Sequence, residues 1–196
     1  MRSCAAPLSI IRLAATVGAV VLAPQAWGDC KPVLSAMEKI ANQPRVGMYE
    51  VDDRNSAPEI GEGTVIRVEK QRWMTMDGAK FMHGSVEFPD LSVYRSFHDF
   101  DSKGALHCEN LGDTTYRGAS AIAFRFNNPM MNGEIPAEVL KRWNTTPDQV
   151  RKAVMLIDKS SGLPVYSESM TPIGMKVAYS YLYGDAVKLP AAIKGN

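Results

Sequence analysis

Residues able to bind a metal or to act in catalysis are few in this sequence. The three histidines are His83, His98 and His107; His98 precedes an aspartate and His107 precedes Cys108. Because neighbouring residues of a strand point to opposite faces, neither pair is expected to converge on one site. The histidines are therefore expected in loops or on the surface, and not in a zinc or hydrolase site.

Soft metal ligands cluster around one predicted turn. The dipeptide Asp77-Gly78 is typical of a two-residue type I′ hairpin. Across that hairpin the flanking thioethers and imidazole would face one another, and such a donor set suits Cu(I) in an exported protein. The donors are Met74, Met76, Met82 and His83. The alternative is that the methionines line the protein core.

Signatures of enzymes are absent from the sequence. The segment Gly118-Ala119-Ser120-Ala121-Ile122 lacks the second glycine of a nucleophile elbow, and Ser120 lies in a predicted strand. No P-loop, His-Glu-x-x-His or Cys-x-x-Cys segment occurs. We therefore predict a non-enzymatic protein that uses no cofactor.

The first 28 residues have the composition of a secretory signal peptide. Arg2 and Arg12 precede an apolar run that ends at Ala23, and Ala26-Trp27-Gly28 places small residues at positions −3 and −1. The apolar run is too short for a stable membrane span. We predict that residues 1–28 are removed, which leaves residues 29–196 as one exported, periplasmic domain that does not span the membrane.

Cleavage changes both the charge and the cysteine count. Loss of two arginines lowers the net charge from +1 to −1 and leaves no basic tract for nucleic acid. Cys30 and Cys108 remain, and in an oxidising compartment an isolated pair is most simply a disulfide. Two free or metal-binding thiols are the alternative. A disulfide would tie an N-terminal helix to the rest of the fold.

Hydrophobic periodicity predicts an opening helix followed by antiparallel strands. A helical stripe runs from Val33 to Ala41, between Pro32 and Pro44. Residues 120–126 alternate as a strand, and residues 154–166 form a hairpin whose turn needs Gly162. Further strands are predicted over 46–52, 63–69, 73–76, 79–83, 93–100, 106–110 and 176–183, and a short helix over 136–143. Residues 147–152 are predicted as the start of the following strand, with a helical turn as the alternative.

Several of these strands are apolar on both faces, which is unusual for an antiparallel sheet with one solvated face. A strongly curved sheet, wrapped as an incomplete β-barrel around a few short helices, explains this pattern and predicts an α+β fold. Such a shape leaves an apolar pocket beneath the helices. Core packing is the alternative role for each predicted wall residue. The predicted walls are Met37, Ile66, Val68, Phe124, Phe126, Tyr179 and Tyr181.

The order of elements resembles the periplasmic lipoprotein-carrier (LolA-like) superfamily. The resemblance covers most of residues 30–190 and rests on the leader, the helix, the hairpins and three segments: Tyr116-Arg117-Gly118, 157–165 and 181–185. It implies an incomplete barrel with a helical lid, whose cavity carries or senses acyl chains. Arg117 and Arg125 are, by position, candidates for the functional arginine of the carriers.

Three functional hypotheses follow from these patterns. The leading one is an exported protein that binds a hydrophobic small molecule or lipid, such as an acyl chain, and acts in envelope lipid or lipoprotein handling. The second is a protein-interaction or envelope-sensing module with a closed core, whose partner is an envelope protein. The third is Cu(I) binding through Met74, Met76, Met82 and His83.

Overall fold

A computed structural model describes residues 29–69, 71–75, 77–84, 91–128, 137–142, 144, 146–170 and 175–191. The predicted signal peptide lies outside the described residues. The helices are α1 (Lys31–Ala41), α2 (Leu91–Ser102), α3 (Ala137–Arg142) and α4 (Pro147–Arg151). The strands are β1 (Arg45–Glu50), β2 (Val65–Val68), β3 (Gln71–Met74), β4 (Met82–Gly84), β5 (Cys108–Tyr116), β6 (Ala119–Asn127), β7 (Lys152–Asp158), β8 (Pro164–Met170) and β9 (Lys176–Tyr183).

The strands form one open antiparallel sheet. Its order is β4-β3-β2-β1-β9-β8-β7-β6-β5, with β4 and β5 at the two edges. The last strand is inserted between β1 and β8, and Met48 of β1 lies opposite Tyr181 of β9. Since all the ladders are antiparallel and the helices are short, the predicted α+β fold is confirmed.

Helix α1 crosses one face of this sheet and is bonded to distant strands at its two ends. A disulfide joins Cys30, at its start, to Cys108 of β5, and Arg67 of β2 binds the carbonyl groups at its end. An 11-residue helix is about 16 Å long. In a flat sheet β2 and β5 would lie about 29 Å apart. The disulfide, whose Cα atoms lie 5.3 Å apart, the Arg67 side chain and the curvature of the sheet together bridge the difference. We call the face that carries α1 and α2 the concave face.

Both faces of the sheet are covered. On the concave face, α1 and α2 pack against Phe124, Phe126 and Met155. On the opposite, convex face, Tyr116 and Tyr166 belong to a second buried cluster. The loop after β1 covers part of this cluster, because the Arg54 guanidinium lies 5.5 Å from the ring centre of Tyr166.

Helix α2 corrects one prediction from the sequence. Residues 93–100 were expected to form a strand, but they lie within a helix. Phe97 is buried and its ring centre lies 5.5 Å from that of Phe126, while Tyr94 and Phe100 pack against the same cluster. Spacings of three residues place all three aromatic rings on the helix face that meets the sheet.

A second correction concerns residues 147–151, which were expected to begin a strand and instead form α4. The Val150 N–H donates to the Thr146 carbonyl, and the Val150 side chain is fully buried. Pro147 suits the first turn of a helix, where its missing N–H is no loss. The short helix predicted just before it is confirmed by α3.

The turn between β5 and β6 imposes a special backbone conformation. Arg117 and Gly118 have φ values of 52° and 82°, and positive φ at both central positions is what a type I′ turn requires. A side chain added at Gly118 would meet no atom within 4 Å. The need for glycine there is therefore conformational and not steric.

Replacing Gly118 with alanine is expected to lower the free energy of unfolding by about 1 kcal/mol, because alanine disfavours positive φ. Gly61→Ala is a matched control, since that glycine also has open space around it but no positive φ. We expect the control to be neutral or slightly stabilising. Urea denaturation of both variants measures the difference, and equal effects would contradict this explanation.

Candidate functional site

A cavity lies between the helices and the concave face of the sheet. Its volume is about 120 Å³. Helices α1 and α2 form its roof, and strands β1, β9, β8, β7 and β6 form its floor. It is lined by Met37, Ile40, Met48, Phe97, Phe126, Asn128, Ala153, Met155, Ser167, Glu168, Ser169, Tyr179 and Tyr181.

The helical stripe predicted from the sequence supplies the roof. Met37 and Ile40 lie three residues apart on α1, and both are at least nine-tenths buried. Opposite them, Met48 and Met155 project from β1 and β7 and are almost fully buried. Thioether side chains adapt to irregular shapes, so this part of the cavity is apolar and deformable.

The structure places four of the seven predicted wall residues in the cavity lining and three elsewhere. Met37, Phe126, Tyr179 and Tyr181 line the cavity. Phe124 lies in the adjoining concave core. Ile66 and Val68 lie on the convex face, where they pack in a cluster with Val187 and Leu189.

One side of the cavity is polar, because alternate residues of β8 and β9 place hydroxyl groups on the same face. Ser167 and Ser169 of β8 point to the same face as Tyr179 and Tyr181 of β9, because Ser167 and Tyr179 are register partners. The Ser167 and Tyr181 hydroxyl groups are 2.8 Å apart and share a hydrogen bond. Burial raises the pKa of Tyr181 to about 12, so its phenol is neutral at physiological pH.

Glu168 borders the cavity, but its carboxylate is engaged on the other side of β8. Tyr166 donates a hydrogen bond to Glu168 Oε2 at 2.8 Å, and Lys176 Nζ lies 3.0 Å from the same oxygen. Burial raises the pKa of Glu168, but these two partners outweigh it and hold the pKa below its ordinary value. The carboxylate is therefore ionised and neutralised by its own partners.

Arg67 does not line the cavity but holds the end of its roof helix α1, a role that the sequence did not predict. Its guanidinium donates to the carbonyl groups of Ile40, Ala41 and Gln43 at 2.6 to 2.9 Å, and the side chain is only 5% exposed. Ile40 and Ala41 lie in the last turn of α1, where carbonyl groups lack partners within the helix, and Gln43 lies just past its end. The signal was present, because an arginine within the apolar run Val65-Ile66-Arg67-Val68 needs a buried partner.

The two arginines singled out earlier lie away from the cavity. Arg125 Nη1 is 3.0 Å from Glu109 Oε2 on the neighbouring strand. Arg117 donates to the Ser56 carbonyl and lies over the ring of Tyr116, with 5.6 Å to its centre. Both therefore have structural partners elsewhere on the sheet.

The hairpin proposed for copper has a different register from the expected one. Met74 lies opposite Met82, while His83 lies opposite Trp73 and points to the other face. Asp77 Oδ1 accepts hydrogen bonds from the N–H groups of Ala79 and Lys80, so the turn is longer than two residues. Met76 lies outside the described residues, and the other three donors do not converge. Among the residues described, no group of three or more His, Cys, Asp or Glu side chains is arranged to hold a metal ion.

Within the described part of the chain, no helix combines the length and the hydrophobicity that crossing a membrane requires.

Comparisons with known proteins give similarity at the level of fold. No protein-family model matches the chain, and no curated protein matches it. The lipoprotein LppX of Mycobacterium tuberculosis is 10% identical, with a TM-score of 0.42 over 82% of this chain and 97% of that one. A LolA superfamily protein of Nitrosomonas europaea is 11% identical, with a TM-score of 0.27 over 84% and 96%. A domain of Vibrio parahaemolyticus, described as an outer membrane lipoprotein-sorting protein, is 8% identical, with a TM-score of 0.21 over 80% and 93%. One of these three structures is described as a member of the superfamily named from the sequence.

Proposed function

We propose that this chain is an exported, non-enzymatic protein that shelters the acyl part of a lipid, or another hydrophobic small molecule, beneath helix α1. The observation that carries the proposal is the cavity itself, which thioether and aromatic side chains line without filling. Deformable apolar walls with a few polar groups at one side are typical of ligand sites.

The size of the cavity decides how a ligand would enter. Pockets for drug-sized ligands usually measure about 300–1,000 Å³, well above the 120 Å³ present here. A long acyl chain would therefore bind only when the helices move away from the sheet. Since α1 is bonded at both ends, α2 is the roof element that would move.

Binding can be tested by filling the cavity. Ala153 lies in the floor and is 5% exposed, and Ala153→Leu should abolish binding of the uncharged probe N-phenyl-1-naphthylamine. Ala123→Leu is the matched control, because Ala123 is a 7% exposed alanine on the convex face of the neighbouring strand. We expect both variants to be destabilised to a similar extent.

Fluorescence titration of the wild type, Ala153→Leu and Ala123→Leu distinguishes the functional classes. Binding to the wild type and to Ala123→Leu, but not to Ala153→Leu, supports a ligand-binding cavity. A folded wild type that binds no probe, and that releases no lipid mass in native mass spectrometry, contradicts the proposal and favours an interaction module with a closed core.

Export is a further part of the proposal. The apolar segment before Ala23 and the small residues at Ala26 and Gly28 favour cleavage after residue 28. The periplasmic location would also allow the disulfide of Cys30 to persist.

A further inference from the structure

We infer that the cavity selects an uncharged, ester-linked amphiphile, such as a monoacylglycerol, over an ionised fatty acid, and that Ser169 and Tyr179 make this choice. The inference rests on the proposed function. It adds the chemical class of the head group and the residues that recognise it.

Two hydroxyl-bearing residues of the cavity wall are available to a ligand. Ser169 of β8 and Tyr179 of β9 both line the cavity, and the register places them diagonally across the strand pair. The backbones of diagonal neighbours lie about 7–8 Å apart, and Ser167 and Tyr181, which stand in the same relation, bring their hydroxyls within 2.8 Å, so one ester group can reach two such side chains. Unlike Ser167 and Tyr181, which bond each other, these two hydroxyls have no hydrogen-bond partner among the residues that the structure describes.

The charges around the cavity disfavour an anionic ligand. The described residues that line the cavity include no lysine or arginine, and the Glu168 carboxylate is already paired with Lys176. Glu50, a second acidic residue, lies opposite Tyr179 where β1 pairs with β9. A buried carboxylate without a cation is strongly disfavoured, and the nearby negative charge adds to that penalty.

An uncharged ester avoids this penalty and satisfies both hydroxyls. Its carbonyl oxygen accepts a hydrogen bond from a serine or tyrosine hydroxyl, and the hydroxyls of a glyceryl group both donate and accept. The acyl chain would lie against the methionines and Phe126 at the apolar side of the cavity. One ligand of this class therefore matches both sides of the cavity at once.

Isothermal titration of the delipidated protein with 1-monodecanoylglycerol and with decanoate at pH 8 tests the inference, because the two probes share one chain length and differ in charge. We expect the glyceride to bind at least tenfold more tightly. Ser169→Ala and Tyr179→Phe should each weaken glyceride binding about fivefold, the usual effect of one lost hydrogen bond, while decanoate binding should change little.

Tyr116→Phe is the control, since it removes a tyrosine hydroxyl that bonds Ser180 on the convex face; it should leave the preference unchanged. Equal or tighter binding of decanoate, or glyceride binding that is not weakened in the double variant Ser169→Ala/Tyr179→Phe, overturns the inference. In either case binding of N-phenyl-1-naphthylamine would leave the proposed function standing. If neither lipid nor that probe binds a folded protein, both the inference and the proposed function fail.

Discussion

Replacing Arg67 with leucine is expected to lower the free energy of unfolding by about 3 kcal/mol and to release the end of α1. The substitution removes three hydrogen bonds to carbonyl groups at and just past the end of that helix, and losing donors to buried or partly buried acceptors is costly. Urea denaturation measures the loss of stability. Hydrogen exchange of residues 40–43 should show faster local opening than in the wild type.

Two further variants define the origin of this effect. Arg67→Lys keeps the charge but loses the planar fork that reaches several carbonyl groups, so we expect an intermediate loss. Arg45→Ala removes an arginine whose partner Asp185 is fully exposed at 3.6 Å, and should change stability by less than about 0.5 kcal/mol. An Arg67→Leu loss no larger than that of Arg45→Ala would refute the anchoring role.

Removing the disulfide is expected to have a similar or larger effect. Cys30 and Cys108 are separated by 78 residues and both are buried, and closing a loop of that length restricts the unfolded chain by about 4 kcal/mol. We therefore expect Cys30→Ala/Cys108→Ala to unfold at a much lower urea concentration. The wild type measured in reductant should approach the same midpoint.

The two anchors of α1 should also depend on each other. With one anchor lost the helix stays attached at its other end, but with both lost Met37 and Ile40 no longer have a fixed position over the sheet. The combined Arg67→Leu/Cys30→Ala/Cys108→Ala protein should therefore lose more stability than the sum of the separate losses. It should also lose binding of N-phenyl-1-naphthylamine. Strict additivity in stability would show that the anchors act independently.

The elements predicted correctly from the sequence are those whose buried residues recur at a regular spacing. Helix α1 has a stripe at helical spacing, and β9 coincides with the alternating run predicted from Lys176 to Tyr183. Helix α2 was mistaken for a strand because its residues also alternate over a short stretch. The decisive signal was the three-residue spacing of Tyr94, Phe97 and Phe100, which only a helix brings to one face.

The cavity walls were harder to predict for a physical reason. Alternation shows which residues of a strand share a face. It does not show which face lines the cavity, because both faces of this sheet are covered. Ile66 and Val68 are as apolar as any concave residue, yet they pack beneath the C-terminal segment, whose Lys188 N–H donates to the Tyr49 hydroxyl at 2.8 Å. Arg67 could not be assigned either, since its partners lie 24 to 27 residues away. Such contacts depend on the completed fold.

The position of β9 has a consequence for how the protein is made. Among the strands that the structure describes, those before α2 and those after it are bonded to each other only through β9, which comes last in the sequence. The sheet can therefore be completed only after Lys176–Tyr183 has been made, although helix α1 can already be joined to β5 by its disulfide. Because β1 and β9 lie far apart in the sequence, their pairing should be a late step of folding.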